Sequence, residues 1–306
     1  MLLLSSVVRG SQQGETHGGL FLLDLEQQRS KQVINWNVAG IDWQGHGGDR
    51  GLRGIAFDDE RVYIAASDAL FVFSPTFELL GSFRSPYLRY CHAIRRFERK
   101  LYLISAGYDS VLAFDLDQQQ FDWGMQLVGD ASGLEGRPFD PQGVLGPPPG
   151  SALHLNSVWC DQRGMFLGGQ QTLGLWHFNG RRVKRLVTLP QGVCDARPWR
   201  DGVLFNDAAA DRVRFITPDQ NQVFQVPHYP SEVLEQAECA ALKVARQGFA
   251  RGLCVIGDST FAAGSSPLTV TLHDLASMKT TLSINLDRDV RHAIHTIEVW
   301  PFGAQQ

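Results

Sequence analysis

The stretch GLRGIAFDDERVYIAASDALFVFSP, Gly51 to Pro75, decides the fold, because ARGLCVIGDSTFAAGSSPLTVTLHDL, Ala250 to Leu275, repeats its plan about 200 residues later. Each copy is a short apolar run, a polar turn, a second apolar run, a looser loop and a third run. Two copies of one strand unit imply a repeat. Short runs of Val, Ile, Leu and Phe separated by Gly, Asp, Asn and Ser turns continue along nearly the whole chain, the pattern of many antiparallel strands.

Aligned on their first strands, five units can be written: RGIAF from Arg53, HAIRRF from His92, HLNSVW from His154, CDARPW from Cys194 and RGLCVI from Arg251. Second strands follow as RVYIAAS, KLYLISAG, GMFLGGQ, GVLFNDAA and STFAAGSS, and third strands as ALFVFSP, SVLAFDL, GLWHF, RVRFITP and LTVTLHDL. The spacing of about 40 residues is that of a propeller blade. A sixth first strand, HAIHTIEVW, ends at Trp300 with nothing after it to complete a blade, while the N-terminal LLLSSVV, GLFLLDL and KQVINW are a second, third and fourth strand without a first. The expected fold is therefore an all-β, six-bladed β-propeller, residues 1–306 as one domain, whose last blade is shared by the two ends of the chain. A β-sandwich with evenly spaced strands is the competing architecture.

Two gaps in the spacing predict insertions. Residues 124–153, with the Gly- and Pro-rich GDASGLEGRPFDPQGVLGPPPGSA, read as a loop. Residues 230–248 read as the chain's one helix: Ser231 caps it, Val233, Leu234, Ala237, Ala240, Ala241 and Val244 form a stripe, and Gly248 ends it.

With 43% hydrophobic residues, a formal charge of -4 and a densest basic run of only RRVKR, Arg181 to Arg185, the chain offers no nucleic-acid surface. The start MLLLSSVVRG is too short in apolar residues for a signal segment or a membrane span and reads as a strand. Five scattered cysteines without a Cys-x-x-Cys argue against a disulfide framework and for a reducing cytoplasm. No Walker loop, Gly-x-Gly-x-x-Gly, Gly-x-Ser-x-Gly or His-Glu-x-x-His stands in a supporting context, so no nucleotide cofactor is expected.

In a propeller the first strands line the axis, so the residues that lead into them converge. That position holds Arg53, His92, His154 with Asn156, Cys194 with Asp195, Arg251, and His292 with His295. Four of the nine histidines fall there. His92, His154, His292 and His295, with Asp195, are the candidate catalytic residues. The four imidazoles are also candidate ligands for one divalent metal ion (zinc, iron, manganese or calcium), or an unmetallated polar lining able to do acid–base work. Arg53 and Arg251 suit a carboxylate or phosphate, or pair with local acids such as Asp49. Candidate substrate contacts further include Asn156, Tyr108 and Asn206, and Trp43 in the glycine-rich segment NVAGIDWQGHGGDRG, which also carries His46. The loops after the second strands add Asp68, Asp109, Gln170, Gln171, Asp207 and Asp211; FNDAAADRV reads as a turn with acidic groups pointing at the mouth, or as plain turn chemistry, since Asp and Asn are ordinary turn residues.

The segments HLNSVW, VCDARPWRDGVLFNDAAADRVRFI and FARGLCVIGDSTFAAGSSP resemble the bacterial propeller family DUF4915, where HLNG, PHSPRWYDGRLWVLDS and TRGLAFVGDYAFVG occur. The resemblance covers about residues 150–300 and departs at Cys194 and Asp195, which stand near that family's Pro-His. It implies the fold and not an activity. The architecture is more distantly similar to six-bladed lactonases and strictosidine-synthase-like propellers, with no counterpart here of the lactonases' glutamate and asparagine calcium shell.

Two functions follow from this pattern. One is a hydrolase, lyase or isomerase acting on a small polar or anionic molecule at the axis. The other is a non-catalytic propeller whose rim binds a peptide or a partner protein.

Overall fold

The computed structural model describes residues 1–37, 51–130, 132–242 and 244–303. Its first strands in the chain are β1 (Leu2–Val8), β2 (Gly18–Asp24) and β3 (Arg29–Asn35), followed by β4 (Ile55–Asp58), β5 (Arg61–Ala65), β6 (Leu70–Phe73) and β7 (Leu79–Phe83). Next come β8 (Cys91–Phe97), β9 (Lys100–Ser105), β10 (Ser110–Asp115), β11 (Gln120–Asp130) and β12 (Gly133–Phe139). Then follow β13 (Leu155–Asp161), β14 (Gly164–Gly169), β15 (Gly174–Phe178) and β16 (Val183–Thr188), and β17 (Val193–Trp199), β18 (Gly202–Asp207), β19 (Arg212–Ile216) and β20 (Asn221–Gln225). The last are β21 (Leu253–Val255), β22 (Thr260–Ser265), β23 (Thr269–Asp274), β24 (Lys279–Asn285) and β25 (His292–Val299).

They form six sheets, five in simple sequential order and one in the order β25-β1-β2-β3. In that sheet Leu2 faces Val299 and Val8 faces His292, so the two ends of the chain share a blade as their complementary strand content predicts. The fold is an all-β, six-bladed β-propeller. Among the described residues no helix is long and apolar enough to cross a membrane, and all five cysteines are free thiols.

The backbone groups into two compact units, Met1–Arg53 with Asn206–Gln306, and Gly54–Phe205. Within each, burial follows strand position. In β1 every residue is buried, whereas β3 is exposed or half-buried throughout. The outermost β3, β16 and β24 place Arg29, Lys31, Lys184, Arg185 and Lys279 on the sheet edges, where charge discourages pairing with another chain. Tyr63, Leu70, Leu101, Leu112 and Phe114 fill one core of the 54–205 unit. Leu2, Leu4, Leu23, Val270, Ile294 and Ile297 fill that of the other. Each such side chain contributes about 2 kcal/mol by leaving water.

Both predicted insertions differ from expectation. The segment read as a loop opens with a hairpin, β11 and β12, that adds a fifth strand to its sheet. Leu127 and Leu134 are buried in it, and the Asp130 carboxylate accepts the Ser132 amide at 2.8 Å to close the turn. Pro138 is tolerated because β12 is an edge strand. The predicted 230–248 helix shrinks to a 3-10 turn at Ser231–Val233 and one α-turn, α1 (Glu238–Ala241). Its stripe finds no core to bury it: Val233 is 46% exposed and Val244 42%. A helix this short is marginal without packing. Instead the backbone at Glu235 runs extended, donating to Arg288 at 3.0 Å and accepting from Val290 at 3.1 Å.

One buried group makes stability depend on acid. His273 on β23 is 1% exposed, its ring 4.8 and 5.0 Å from those of Phe224 and Phe261, its nitrogens on Thr271 and Thr280. Burial pushes its pKa down from 6.5 to about 4. The unfolded chain therefore takes this proton first, so the contribution is fully present above pH 6.5 and is lost as pH falls toward 4. The loss totals about 3 kcal/mol. In urea titrations the midpoint should fall across that window, and His273→Gln should flatten the slope. Parallel pH profiles for the two proteins would show that another group is responsible.

Candidate functional site

In the 54–205 unit, β8 lies between β4 and β13, and β13 between β8 and β17. Along β8 the pairing with β9 passes from Cys91↔Ser105 to Ile94↔Leu103, so His92 and Ala93 together oppose one residue. Along β13 it passes from Leu155↔Gly169 to Ser157↔Gly168, leaving Asn156 extra. Each is a β-bulge at a residue singled out from the sequence, and a bulge re-aims the side chain it carries. His154, just before β13, has φ of 48° and Asp195 on β17 has φ of 53°, left-handed conformations that non-glycine residues seldom adopt.

These distortions bring His92 and His154 together, ring centroids 5.5 Å apart and planes 52° to each other. His92 is buried and His154 half-buried. Asn156 donates from Nδ2 to the Val193 carbonyl at 2.9 Å and lies 3.5 Å from the Cys194 sulfur. A carbonyl accepts only from the amino side of the amide, which fixes the orientation. The Oδ1 atom, on a residue 3% exposed, then has no hydrogen-bond partner among the described residues.

The loop carrying His154 is held from three sides. Asp109, buried at the end of a single 3-10 turn, accepts the amides of Leu153 at 2.9 Å and Leu155 at 3.4 Å. Burial pushes its carboxyl above the usual carboxylate range, against the pull of these amides and those of Ala152 and His154. Gly150 donates to the Gly107 carbonyl at 2.9 Å. Gln170 and Gln171 donate to the carbonyls of His154 and Leu153, each at 3.1 Å. A Cβ at Gly169 would stand 2.6 Å from the His154 carbonyl oxygen, so only glycine permits this approach. The loops before first strands and after second strands are thus stitched to each other. Tyr108 turns aside, its hydroxyl donating to the Pro86 carbonyl at 3.2 Å and its ring edge-on to Tyr87.

The unit of residues 1–53 and 206–306 holds the remaining candidates. His292 Nδ1 meets the Asp287 carboxylate at 2.5 Å, and Nε2 meets the Ser6 hydroxyl at 2.8 Å. Burial works to raise the Asp287 carboxyl, yet the bond and charge of His292 hold it below the usual range. The ionised carboxylate fixes the proton on Nδ1, so His292 donates to Asp287, and Nε2 and the Ser6 hydroxyl share the second bond, the chain order of a Ser-His-Asp arrangement. Ser6 is fully buried, however, and its oxygen also accepts the Gly19 amide at 3.0 Å. The wiring engages both His292 nitrogens, leaves none for a metal ion or substrate, and fastens β1 to β25. His295 sits buried at a third bulge, where Ser6 pairs with Ile294 and Ser5 with Thr296, and its Nδ1 is 3.3 Å from the Thr296 hydroxyl.

Arg53 is 2% exposed, and its carbonyl accepts the Ser5 hydroxyl. Arg251 is half-buried, and Asn206 donates to the Gly252 carbonyl at 3.2 Å. Trp43, His46 and Asp49 lie outside the described residues. Among the described residues no group of three or more His, Cys, Asp or Glu side chains is arranged to hold a metal ion. Sequence reasoning did not identify Ser6 and Asp287 as partners of His292, and it saw Asp109 only as a turn residue. A buried turn carboxylate becomes recognisable only once the loop that it grips is in place.

No family model matches the chain and no curated protein matches it, so nothing supports the narrower resemblance to DUF4915. Solved structures do match. The crystal structure of a nidogen/laminin complex is similar with TM-score 0.59 at 12% identity over 97% of both chains. The computationally designed Ika8 protein is similar with TM-score 0.50 at 10% identity, over 93% of this chain and 88% of that one. The WD40 β-propeller domain of Doa1 has TM-score 0.48 at 14% identity, over 77% and 69%. At such identities a likeness speaks for fold alone, and the fold of this chain is the six-bladed β-propeller.

Proposed function

We propose that the protein is a small-molecule enzyme of the hydrolase, lyase or isomerase type in which His92 and His154 form the acid–base pair. The observation that carries this reading is the 5.5 Å approach of the two rings on a bulged, left-handed stretch of backbone. Two imidazolium ions at that separation would repel by about 3 kcal/mol at an effective dielectric constant of 20. The doubly protonated pair is therefore disfavoured, and in the singly protonated pair one ring can accept a proton while the other donates. Asn156 Oδ1 awaits a donor, which fits a substrate hydroxyl or amine, and a carboxylate or phosphate on the same molecule would meet the protonated ring. Asp109 acts as a positioning residue by holding the loop of His154.

The test is a thermal-shift panel of lactate, malate, citrate, glycerol 3-phosphate and inorganic phosphate on the full chain. At least one probe should raise the melting temperature of wild type, since a ligand at 100 times its dissociation constant adds about 2.7 kcal/mol. His92→Gln and His154→Gln should each abolish that rise. A panel without a response, or equal shifts in all three proteins, would sink the reading.

A further inference from the structure

The strands that carry the histidine pair at one end carry a different cavity at the other. From Cys91 to Phe97, β8 runs about 20 Å, and the loop of His154 and the Cys160–Asp161 end of β13 are separated by a similar length. At the far end a cleft of about 480 Å³ opens between the sheet of β8–β12 and that of β13–β16. That volume suits a small ligand.

Its walls are aromatic. Phe97, Tyr102, Trp123 and Phe178 line it, all half-buried, with Met165 beside them. Trp123 and Phe178 come from different sheets and lie nearly parallel, 26° apart with centroids at 6.5 Å. The polar part of the lining is one ammonium, Lys100, against two carboxylates, Asp122 and Asp161. Lys100 contacts Asp122 and stands 3.9 Å from a third carboxylate, Asp115. Asp161 takes the exposed Arg163 at 2.6 Å. Burial, helped by the negative charge of Glu98 and Asp122, pushes the Tyr102 phenol up to about 12, and burial pushes the Cys160 thiol up to about 12 as well. Both are neutral at physiological pH, and the three carboxylates Asp115, Asp122 and Asp161 outnumber the two cations Lys100 and Arg163, so these groups carry a net negative charge.

We infer that this cleft is a binding site for a small organic cation of the quaternary-ammonium type, caged by Phe97, Tyr102, Trp123 and Phe178 and balanced by the carboxylates Asp122 and Asp161. The negative faces of aromatic rings attract such an ion, and its methyl groups remove apolar ring surface from water. An anion would meet the carboxylates and the ring faces with the wrong sign. Lys100 limits the affinity, because its ammonium already occupies Asp122.

Isothermal titration of the full chain with choline and with its uncharged carbon isostere, 3,3-dimethyl-1-butanol, tests this. Choline should bind about tenfold more tightly than the isostere, the worth of a partly desolvated cation–π contact. Trp123→Leu should weaken choline about tenfold, and Lys100→Gln, a substitution on the half-exposed rim, should tighten it severalfold. Equal affinity for the two ligands would show an apolar cleft with no preference for charge and would overturn the inference. So would the absence of choline binding in both wild type and Lys100→Gln, or a weaker affinity in Lys100→Gln.

Discussion

Asp109→Ala is expected to destabilise the protein by about 3 kcal/mol and to free the loop that carries His154. The carboxylate is buried, and its oxygens satisfy the amides of Leu153 and Leu155. Truncation leaves at least two buried donors unpaired, each at about 1–3 kcal/mol. It also asks alanine to hold a φ of 44°. Asp109→Asn keeps one of the two acceptor oxygens, tolerates that backbone and removes a charge that burial already penalises, but turns its amino group toward the other amide, so it should lose less than Asp109→Ala without matching wild type. Urea unfolding gives the energies, and hydrogen exchange at the amides of Leu153 and Leu155 gives the location. Unchanged exchange at both amides in Asp109→Ala would show that the clamp does not hold the loop.

The second large effect is at the joined ends. His292→Ala removes both bonds of a buried imidazole, leaves Ser6 with only its contacts to Gly19 and one oxygen of the half-buried Asp287 without its imidazole partner, and leaves space beside Phe21, whose ring lies 6.0 Å from that of His292. A loss of about 3–4 kcal/mol is expected. Ser6→Ala should cost about 2 kcal/mol, since the bond to His292 and the one from the Gly19 amide both go. A double-mutant cycle should show positive coupling of about 1 kcal/mol, because the residues are 286 positions apart in sequence yet in contact. Additive losses would mean that His292 stabilises through Asp287 alone.

The fold was legible because period-two alternation and a repeat of about 40 residues are signals carried by many residues at once. The closing blade could be inferred from what each end of the chain lacked. The insertions were not legible, for opposite reasons. The Val233–Val244 stripe has helical spacing but no core to receive it, and the glycines that marked residues 124–153 as a loop sit inside a hairpin whose Leu127 and Leu134 are buried.

The site was legible in part. His92 and His154 share a position in the repeat, and the structure brings their rings together. His292 shares that position too, but Ser6 and Asp287 engage it. Those partners have no pattern of their own in the sequence. The same holds for the aromatic cleft: Phe97, Tyr102, Trp123 and Phe178 come from four strands, and each looks like a core residue of its strand.

Whether His92 and His154 act as one acid–base pair is decided by the affinity of the best panel ligand for wild type, His92→Gln and His154→Gln. A loss of tenfold or more in each variant, with both still folded by urea titration, is the predicted result. An affinity unchanged in either variant would show that the two imidazoles do not act on a common ligand.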